Sequence, residues 1–181
     1  MNYQGRPLCN QKQVAPIGVL LCNLGTPDAP TTKAVRSYLK EFLSDPRVVE
    51  LPRLLWLPIL HGIILNTRPA KSARLYKKVW TDEGSPLASY TKKQCRQISQ
   101  ALGNNIDPQP LSIAYAMRYG EPSIRHGVDR LIASGAEKII VLPLYPQYAS
   151  STTGSTYDAV NKALTTMRWL PELHFINHYH D

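Results

Sequence analysis

Residues 141–155 read VLPLYPQYASSTTGS and lead from a buried strand, through a loop rich in tyrosine, serine and threonine, towards a helix. The apolar run ending at Leu142 is typical of a strand, and Ser155 at the far end is suited to cap a helix. Connections of this kind usually need about two to six residues. Here the eleven residues 145–155 follow the predicted strand, which ends at residue 144, and they include two tyrosines, a proline and five serines or threonines. Such a rigid, aromatic strand exit indicates the wall of a ligand site.

Strands and helices are predicted to alternate along the rest of the chain. Continuous apolar runs predict buried strands, and apolar residues at helical spacing predict amphipathic helices between them. The predicted strands are residues 17–23, 111–117, 138–144 and 173–177, and the predicted helices are 31–43, 69–80, 89–102, 122–134 and 155–167. This alternation predicts an α/β fold, with a doubly wound, parallel, four-stranded sheet flanked by helices. The polar residues 1–15 are expected to form a flexible leader.

The least ordinary sequences of the chain follow the predicted strands. They are residues 24–27, 118–123, 145–155 and 178–181. In a parallel sheet ligands bind beyond the carboxyl ends of the strands, so these segments are expected to meet at one edge. There Arg118 would pair with an anion and Tyr119 would stack on a planar ligand. A surface arginine beside a half-buried tyrosine is the alternative interpretation.

Composition narrows the range of partners. The net charge of +8, from 21 Lys and Arg against 13 Asp and Glu, favours anionic ligands. Because the basic residues are scattered and form no dense run, most are interpreted as solvated helix faces, and a nucleic-acid partner is not expected. The three cysteines lack metal-ligand spacing and the N-terminus shows no signal-peptide pattern, so reduced thiols in a cytoplasmic protein are expected.

Several common kinds of site are not supported. Gly25-Thr26 lacks the glycine pattern of a nucleotide-binding loop. His174, His178 and His180 have a spacing that fits no compact site on a strand or a helix, so no metal ligand is predicted. No Ser-His-Asp, Cys-His or paired-carboxylate arrangement can be assembled. The apolar residues 51–65 are too short and too interrupted to span a bilayer, but they suit contact with a membrane surface or an apolar ligand.

Five segments, taken together and in order, resemble the ferrochelatase family. They are LLCNLGTPDAP at residues 20–30, FLSDPRVVELP at 42–52, an A-x-x-Y-x-x-V-W motif followed by GSPL at 73–87, AMRYGEPSI at 116–124 and LPLYPQYASSTTGS at 142–155. The resemblance covers residues 16–181 and is closest to bacterial enzymes that insert ferrous iron into protoporphyrin IX to form protoheme. One such segment alone is a weak signal, whereas five in series are a strong one.

The resemblance implies two similar chelatase domains with the porphyrin in a cleft between them, of which residues 16–181 are the N-terminal one. The family's catalytic histidine and its acidic partner belong to the second domain. No catalytic residue is therefore expected in this chain, and the chain alone is expected to be inactive. In that scheme this half grips and bends the ring, while the missing C-terminal domain takes the pyrrole protons and iron enters.

The resemblance also implies a propionate site and a lip. Arg68, Tyr76 and Ser85 match positions that hold a propionate of the porphyrin, which gives the basic charge a specific anionic target. Residues 51–65 match an apolar lip over the macrocycle. The same lip suggests peripheral contact between an otherwise cytoplasmic protein and the inner membrane.

Further positions are assigned to the wall and floor of the pocket. Arg118 and Tyr119 match its floor, and Tyr145 matches a pocket aromatic. Leu24 stands where some family members carry a tyrosine that can reach the metal. Ser150 stands where some carry a cysteine ligand of an iron–sulfur cluster, so no cluster and no other cofactor are expected in this half.

Two other functions stay open on the sequence. One is a stand-alone tetrapyrrole-binding module without catalysis. The other is a chelatase that takes another metal, or that takes coproporphyrin as its tetrapyrrole.

Overall fold

A parallel sheet of four strands forms the centre of the computed structural model, which describes residues 14–103 and 109–180. The strands are β1 (Ile17–Gly25), β2 (Leu111–Tyr119), β3 (Lys138–Pro143) and β4 (Glu172–Phe175). Their order across the sheet is β2-β1-β3-β4, and every neighbouring pair is parallel. The predicted fold class is therefore confirmed. The predicted leader, residues 1–15, lies almost entirely outside the described residues.

Helices connect the strands as predicted, with one helix, over residues 53–59, that was not among the predicted ones. They are α1 (Thr32–Leu43), α2 (Arg53–Ile59), α3 (Leu65–Val79), α4 (Pro86–Gly103), α5 (Ile124–Ala133) and α6 (Ser155–Leu164). Two π-helical turns interrupt them: the first π-turn (Leu60–Ile64) joins α2 to α3, and the second π-turn (Ser150–Gly154) precedes α6. Such turns occur frequently at functional sites.

Strand β1 lies at the centre of the core and is buried on both faces. Leu20, Leu21 and Cys22 are all inaccessible to solvent, as the continuous apolar run predicts. Helices α5 and α6 pack on one face through an apolar cluster that includes Leu131 and Val160. Helix α4 packs on the other face, where the side-chain amide of Asn23 in β1 donates to the Thr91 hydroxyl at 3.0 Å. The sheet is thus covered on both faces, so its ligand-accessible part is the edge where the strands end.

Three local predictions were wrong. The helix expected to begin at Pro69 begins at Leu65 and continues from α2 through the first π-turn, so residues 53–79 form one long helical segment. The helix expected to reach residue 167 ends at Leu164. Ser155 does not cap that helix, because the second π-turn already supplies helical backbone before it and the Ser155 side chain bonds elsewhere.

At the end of β1 the backbones of β1 and β2 lie unusually close together. Gly25 has φ +104, a conformation that residues with a side chain rarely adopt. A Cβ atom added to Gly25 would lie 1.8 Å from the carbonyl oxygen of Tyr119, its register partner in β2. This contact brings the chain that leaves β1 against the chain that leaves β2.

Candidate functional site

The order of the strands reverses between β1 and β3, and this reversal creates a crevice at the carboxyl edge of the sheet. The chain leaving β1 leads to β2 on one side of the sheet, whereas the chain leaving β3 leads to β4 on the other side, so the loops after β1 and β3 diverge. In open α/β sheets ligands bind at such a point. Leu24 is the second-last residue of β1 here, Tyr145 lies in the long loop after β3, and both residues are partly accessible.

Asp45 lies at the centre of a buried polar network next to this crevice. Its Oδ2 atom accepts hydrogen bonds from Arg118 at 2.5 Å, from the Tyr119 hydroxyl at 2.9 Å and from the Ser155 hydroxyl at 2.5 Å. Its Oδ1 atom accepts from the backbone amide of Arg47 at 2.8 Å. The Asp45 side chain is only 5% exposed and the Arg118 side chain 17% exposed, so solvent screens this ion pair weakly. The network joins the end of α1, the end of β2 and the start of α6.

The electrostatics of the network favour an ionised Asp45. Burial opposes ionisation of its carboxyl group, but hydrogen bonds from Ser155, the Arg47 amide and Tyr119, together with the Arg118 charge, outweigh burial and hold the Asp45 pKa below its usual value. The same carboxylate neutralises the Arg118 guanidinium, whose Nε also donates to the Ser155 backbone oxygen at 2.9 Å. Arg118 is therefore an internally paired cation held in a fixed orientation.

Buried tyrosines surround the network. Burial raises the pKa of Tyr119 to about 12, and the Tyr119 ring lies against Phe42 of α1, with 5.1 Å between ring centroids, and under the Arg118 guanidinium at 4.4 Å. Burial likewise raises the pKa of Tyr38 and of Tyr145. The Tyr145 hydroxyl is buried and has no hydrogen-bond partner among the described residues, although the residue as a whole is partly accessible.

A second element of the site is an apolar cavity between α1 and the long helical segment. Its volume is about 320 Å³, and its lining residues are Leu39, Leu43, Trp56, Ile64, Arg68 and Ser72. Arg68 is exposed at this cavity and makes no hydrogen bond or ion pair within the part of the chain that the structure describes. An unpaired guanidinium beside apolar walls suits a ligand with an apolar body and an anionic group.

The predicted site residues fall into two groups. Arg118, Tyr119 and Tyr145 lie at the strand edge, close enough for the charges of Arg118 and Tyr119 to affect the pKa of Tyr145, which burial chiefly raises. Leu24 precedes Gly25, the register partner of Tyr119. The other predicted residues lie in or beside helices: Arg68 and Tyr76 are in α3, and Ser85 directly precedes α4.

Contacts between these groups differ from residue to residue. Burial chiefly raises the pKa of Tyr38 in α1, and Tyr76 lies close enough to Tyr38 to raise that pKa further. The Tyr38 hydroxyl donates to the Gly25 carbonyl at 3.3 Å, so α1 links Tyr76 to the strand edge. Ser85 is buried, and among the described residues no hydrogen bond of its side chain joins either group.

Many of the apolar residues in 51–65 are exposed beside the cavity, whereas Leu60 and Leu65 are buried. Leu54 is 90% exposed, and Leu55, Ile59 and Ile63 are exposed at spacings of one helical turn. The indole N–H of Trp56 donates to the Leu43 backbone oxygen at 2.7 Å, which fixes this segment to the end of α1. No helix in residues 14–103 or 109–180 is both long enough and apolar enough to cross a membrane.

Sequence reasoning missed two residues of the polar network that joins the end of α1, the end of β2 and the start of α6. No site role was predicted for Asp45, and Ser155 was expected only to cap a helix. Arg47, in the same FLSDPRVVELP segment, forms an ion pair with Asp158 and donates to the Ser150 hydroxyl at 3.4 Å. The signal available in the sequence was the presence of Asp45 inside a family-like segment. Among the described residues, no group of three or more His, Cys, Asp or Glu side chains is placed to hold a metal ion.

Comparison with known proteins gives one consistent result. The family model described as ferrochelatase matches residues 16–181. The chain is 55% identical to the ferrochelatase of Idiomarina loihiensis, over 100% of this chain and 50% of that protein. It is 58% identical to ferrochelatase 2 of Shewanella oneidensis, over 91% of this chain and 50% of that protein. For the ferrochelatase of Thioalkalivibrio sulfidiphilus the identity is 56%, over 91% and 44%. The chain spans about half the length of the curated relatives it matches.

Proposed function

Because the chain belongs to the ferrochelatase family, we propose that it supplies the porphyrin-holding part of an enzyme that inserts ferrous iron into protoporphyrin IX during heme biosynthesis. The observation that carries the proposal is the unpaired Arg68 guanidinium at an apolar cavity of about 320 Å³. Protoporphyrin IX is a planar apolar ring with two carboxylates at one edge. Apolar side chains would contact the ring, and Arg68 would pair with a propionate.

The strand edge would supply the second contact surface. Tyr145 is partly accessible and keeps its hydroxyl buried, and its ring would stack on a flat apolar ligand. Tyr119 is fully buried, so its contribution would be to support Arg118 from behind. A ring held between the cavity and the strand edge would be bent by contacts at its margin, at a typical cost of about 1–5 kcal/mol of binding energy.

Proton removal from the pyrrole nitrogens would fall to residues outside this chain. The polar groups of the described site are arginines, hydroxyls, tyrosines and the Asp45 carboxylate. Asp45 is buried, its Oδ2 atom already accepts three hydrogen bonds and its pKa lies below the usual value, so it is a poor base for this step. Arginine accepts no proton, and the raised pKa values of Tyr38, Tyr119 and Tyr145 make these tyrosines poor bases near neutral pH. The chain alone would bind the porphyrin without inserting iron, which is a substrate of the reaction. We also propose that this half carries no cluster, because the Ser150 hydroxyl offers no thiolate and accepts a hydrogen bond from Arg47.

The exposed leucines and isoleucines of α2 and the first π-turn support a further part of the proposal. These side chains would let the lip rest on the cytoplasmic face of the inner membrane, from which an apolar porphyrin can enter the site. The basic residues Arg53, Arg68 and Lys71 in the same helical segment would favour an anionic lipid surface.

Porphyrin binding by the 181-residue chain tests the proposal. We expect protoporphyrin IX fluorescence to be quenched on titration with the chain, and Arg68→Ala to weaken binding about tenfold, because a charge-assisted hydrogen bond contributes about 1.5–3 kcal/mol and this arginine is exposed. Tyr145→Phe is the matched control and should bind as the unmodified chain does, since the hydroxyl it removes faces inward. A zinc- or iron-insertion assay with the chain alone should give no product above the blank.

Either of two results would contradict the proposal. One is binding that is absent, or that is unchanged by Arg68→Ala. The other is measurable metal insertion by the isolated chain, which would place a base inside it.

A further inference from the structure

One oxygen atom of Asp45 accepts hydrogen bonds from three side chains, which lie at or beyond the carboxyl ends of two different strands. Arg118 and Tyr119 end β2, whereas Ser155 closes the long loop after β3. Strand β1 lies between β2 and β3, so no ladder of backbone hydrogen bonds joins these two exits directly. The separation of the exits, and with it the shape of the floor, therefore depends on side chains that meet at Asp45.

The position of Asp45 in the chain extends this connection to the lip. The two residues before it hold α2 in place: the Leu43 oxygen accepts from Trp56 at 2.7 Å and the Ser44 oxygen accepts from Arg53 at 2.9 Å. One short segment at the end of α1 thus contacts the lip, the end of β2 and the start of α6.

We infer that Asp45 is a positioning residue of the ligand site, which fixes the Arg118 guanidinium against the loop after β3 and acts on the ligand through Arg118. The inference rests on the proposed function and extends it to a residue that no comparison assigns. It predicts that Asp45 matters for ligand binding only while Arg118 is present.

Asp45→Asn is the sharpest variant because the two side chains have the same shape. Oδ1 of Asp45 accepts from the Arg47 amide, and Oδ2 accepts from Arg118, Tyr119 and Ser155. Asparagine must place an NH₂ group at one of these two positions, and a donor facing donors there cannot bond. Ser155→Ala, which removes one donor and leaves the carboxylate, is the milder second variant should Asp45→Asn fail to fold.

A double-mutant cycle read by protoporphyrin binding tests the inference. Asp45→Asn should weaken binding about tenfold in the unmodified background and by less than about twofold in the Arg118→Ala background, because residues that act through one another are not additive. Asp158→Asn is the matched control: it removes the neighbouring exposed ion pair with Arg47 and should leave affinity unchanged. Equal losses in both backgrounds would overturn the inference.

A measurement without ligand separates this inference from the proposed function. In NMR spectra the Nε–H of Arg118, which donates to the Ser155 hydroxyl at 2.6 Å and to its backbone oxygen, should exchange slowly with water. Asp45→Asn should broaden or remove that signal, and Asp158→Asn should keep it. A failure of the unmodified chain to bind porphyrin would contradict the proposed function only. An unchanged Arg118 signal in folded Asp45→Asn would overturn the positioning role.

Discussion

Gly25→Ala is expected to prevent folding, or to lower the free energy of unfolding by more than about 4 kcal/mol, beyond the usual range for a single substitution. The added methyl group would lie 1.8 Å from the Tyr119 carbonyl oxygen, which is backbone and cannot rotate away. The φ of +104 adds strain that a residue with a side chain seldom accepts. Both effects act where β1 and β2 end together, so relief would require β2 to separate from β1. Urea denaturation followed by circular dichroism measures the loss.

Gly62→Ala is the matched control for this prediction. Gly62 lies in the first π-turn, and no atom beyond its own helical turn lies within 4 Å of the position that a Cβ would take. Alanine is favoured over glycine in helices by about 1 kcal/mol, so Gly62→Ala should leave stability unchanged or raise it slightly. A Gly25→Ala chain that unfolds at the same urea concentration as the unmodified chain would show that the two strand ends are not packed as described.

Asp45→Ala is the second substitution with a large expected effect. It leaves the Arg118 guanidinium without its carboxylate and removes the acceptor of Tyr119, Ser155 and the Arg47 amide. Removing one partner of a buried ion pair typically costs about 3–5 kcal/mol, and we expect a loss of this size at neutral pH. Asp158→Asn removes an ion pair whose two side chains are 35% and 49% exposed, and should cost less than about 1 kcal/mol.

The effect of Asp45 on stability should depend on pH in a defined direction. The folded-state pKa of Asp45 is lower than that of an unfolded aspartate, about 3.9, so its contribution is complete above that value. As the pH falls through the folded-state pKa, the carboxylate gains a proton in both states and the contribution disappears. The difference in unfolding free energy between the unmodified chain and Asp45→Ala should therefore shrink in acid. A difference that grew below pH 4 would contradict the assignment of an ionised, network-bound Asp45.

Much of the fold was predictable because its signals are local. The run of apolar residues in β1 reports burial on both faces, and Leu20, Leu21 and Cys22 are indeed inaccessible. The helix over residues 53–64 was not predictable in the same way. Its leucines and isoleucines lie on both sides of the helix, because Leu60 is buried whereas Leu54, Leu55, Ile59 and Ile63 are exposed. The sequence therefore shows no amphipathic pattern here, and Pro58 lies within the helix. Its anchor, the bond from Trp56 to the Leu43 oxygen, belongs to the tertiary structure.

The site was predictable in outline and not in its centre. Parallel strands bring their exits to one edge, so the placement of Arg118, Tyr119 and Tyr145 at that edge follows from the order of strands and loops. Asp45 bonds to Arg118, 73 residues away, and to Ser155, 110 residues away. Only the folded chain brings these groups together, and locally an aspartate before a proline has the properties of a helix end.

The shared oxygen of Asp45 also constrains how this part of the sequence can evolve. Loss of Arg118 alone would leave a buried carboxylate without its counter-ion, and loss of Asp45 alone would leave a buried guanidinium. Loss of both, with apolar replacements of similar volume, can be nearly neutral for stability. The fitness effect of a change at position 118 therefore depends on the residue at position 45. Descendants of this chain should keep the pair or exchange it jointly, along a path whose single-change intermediates are the least stable sequences.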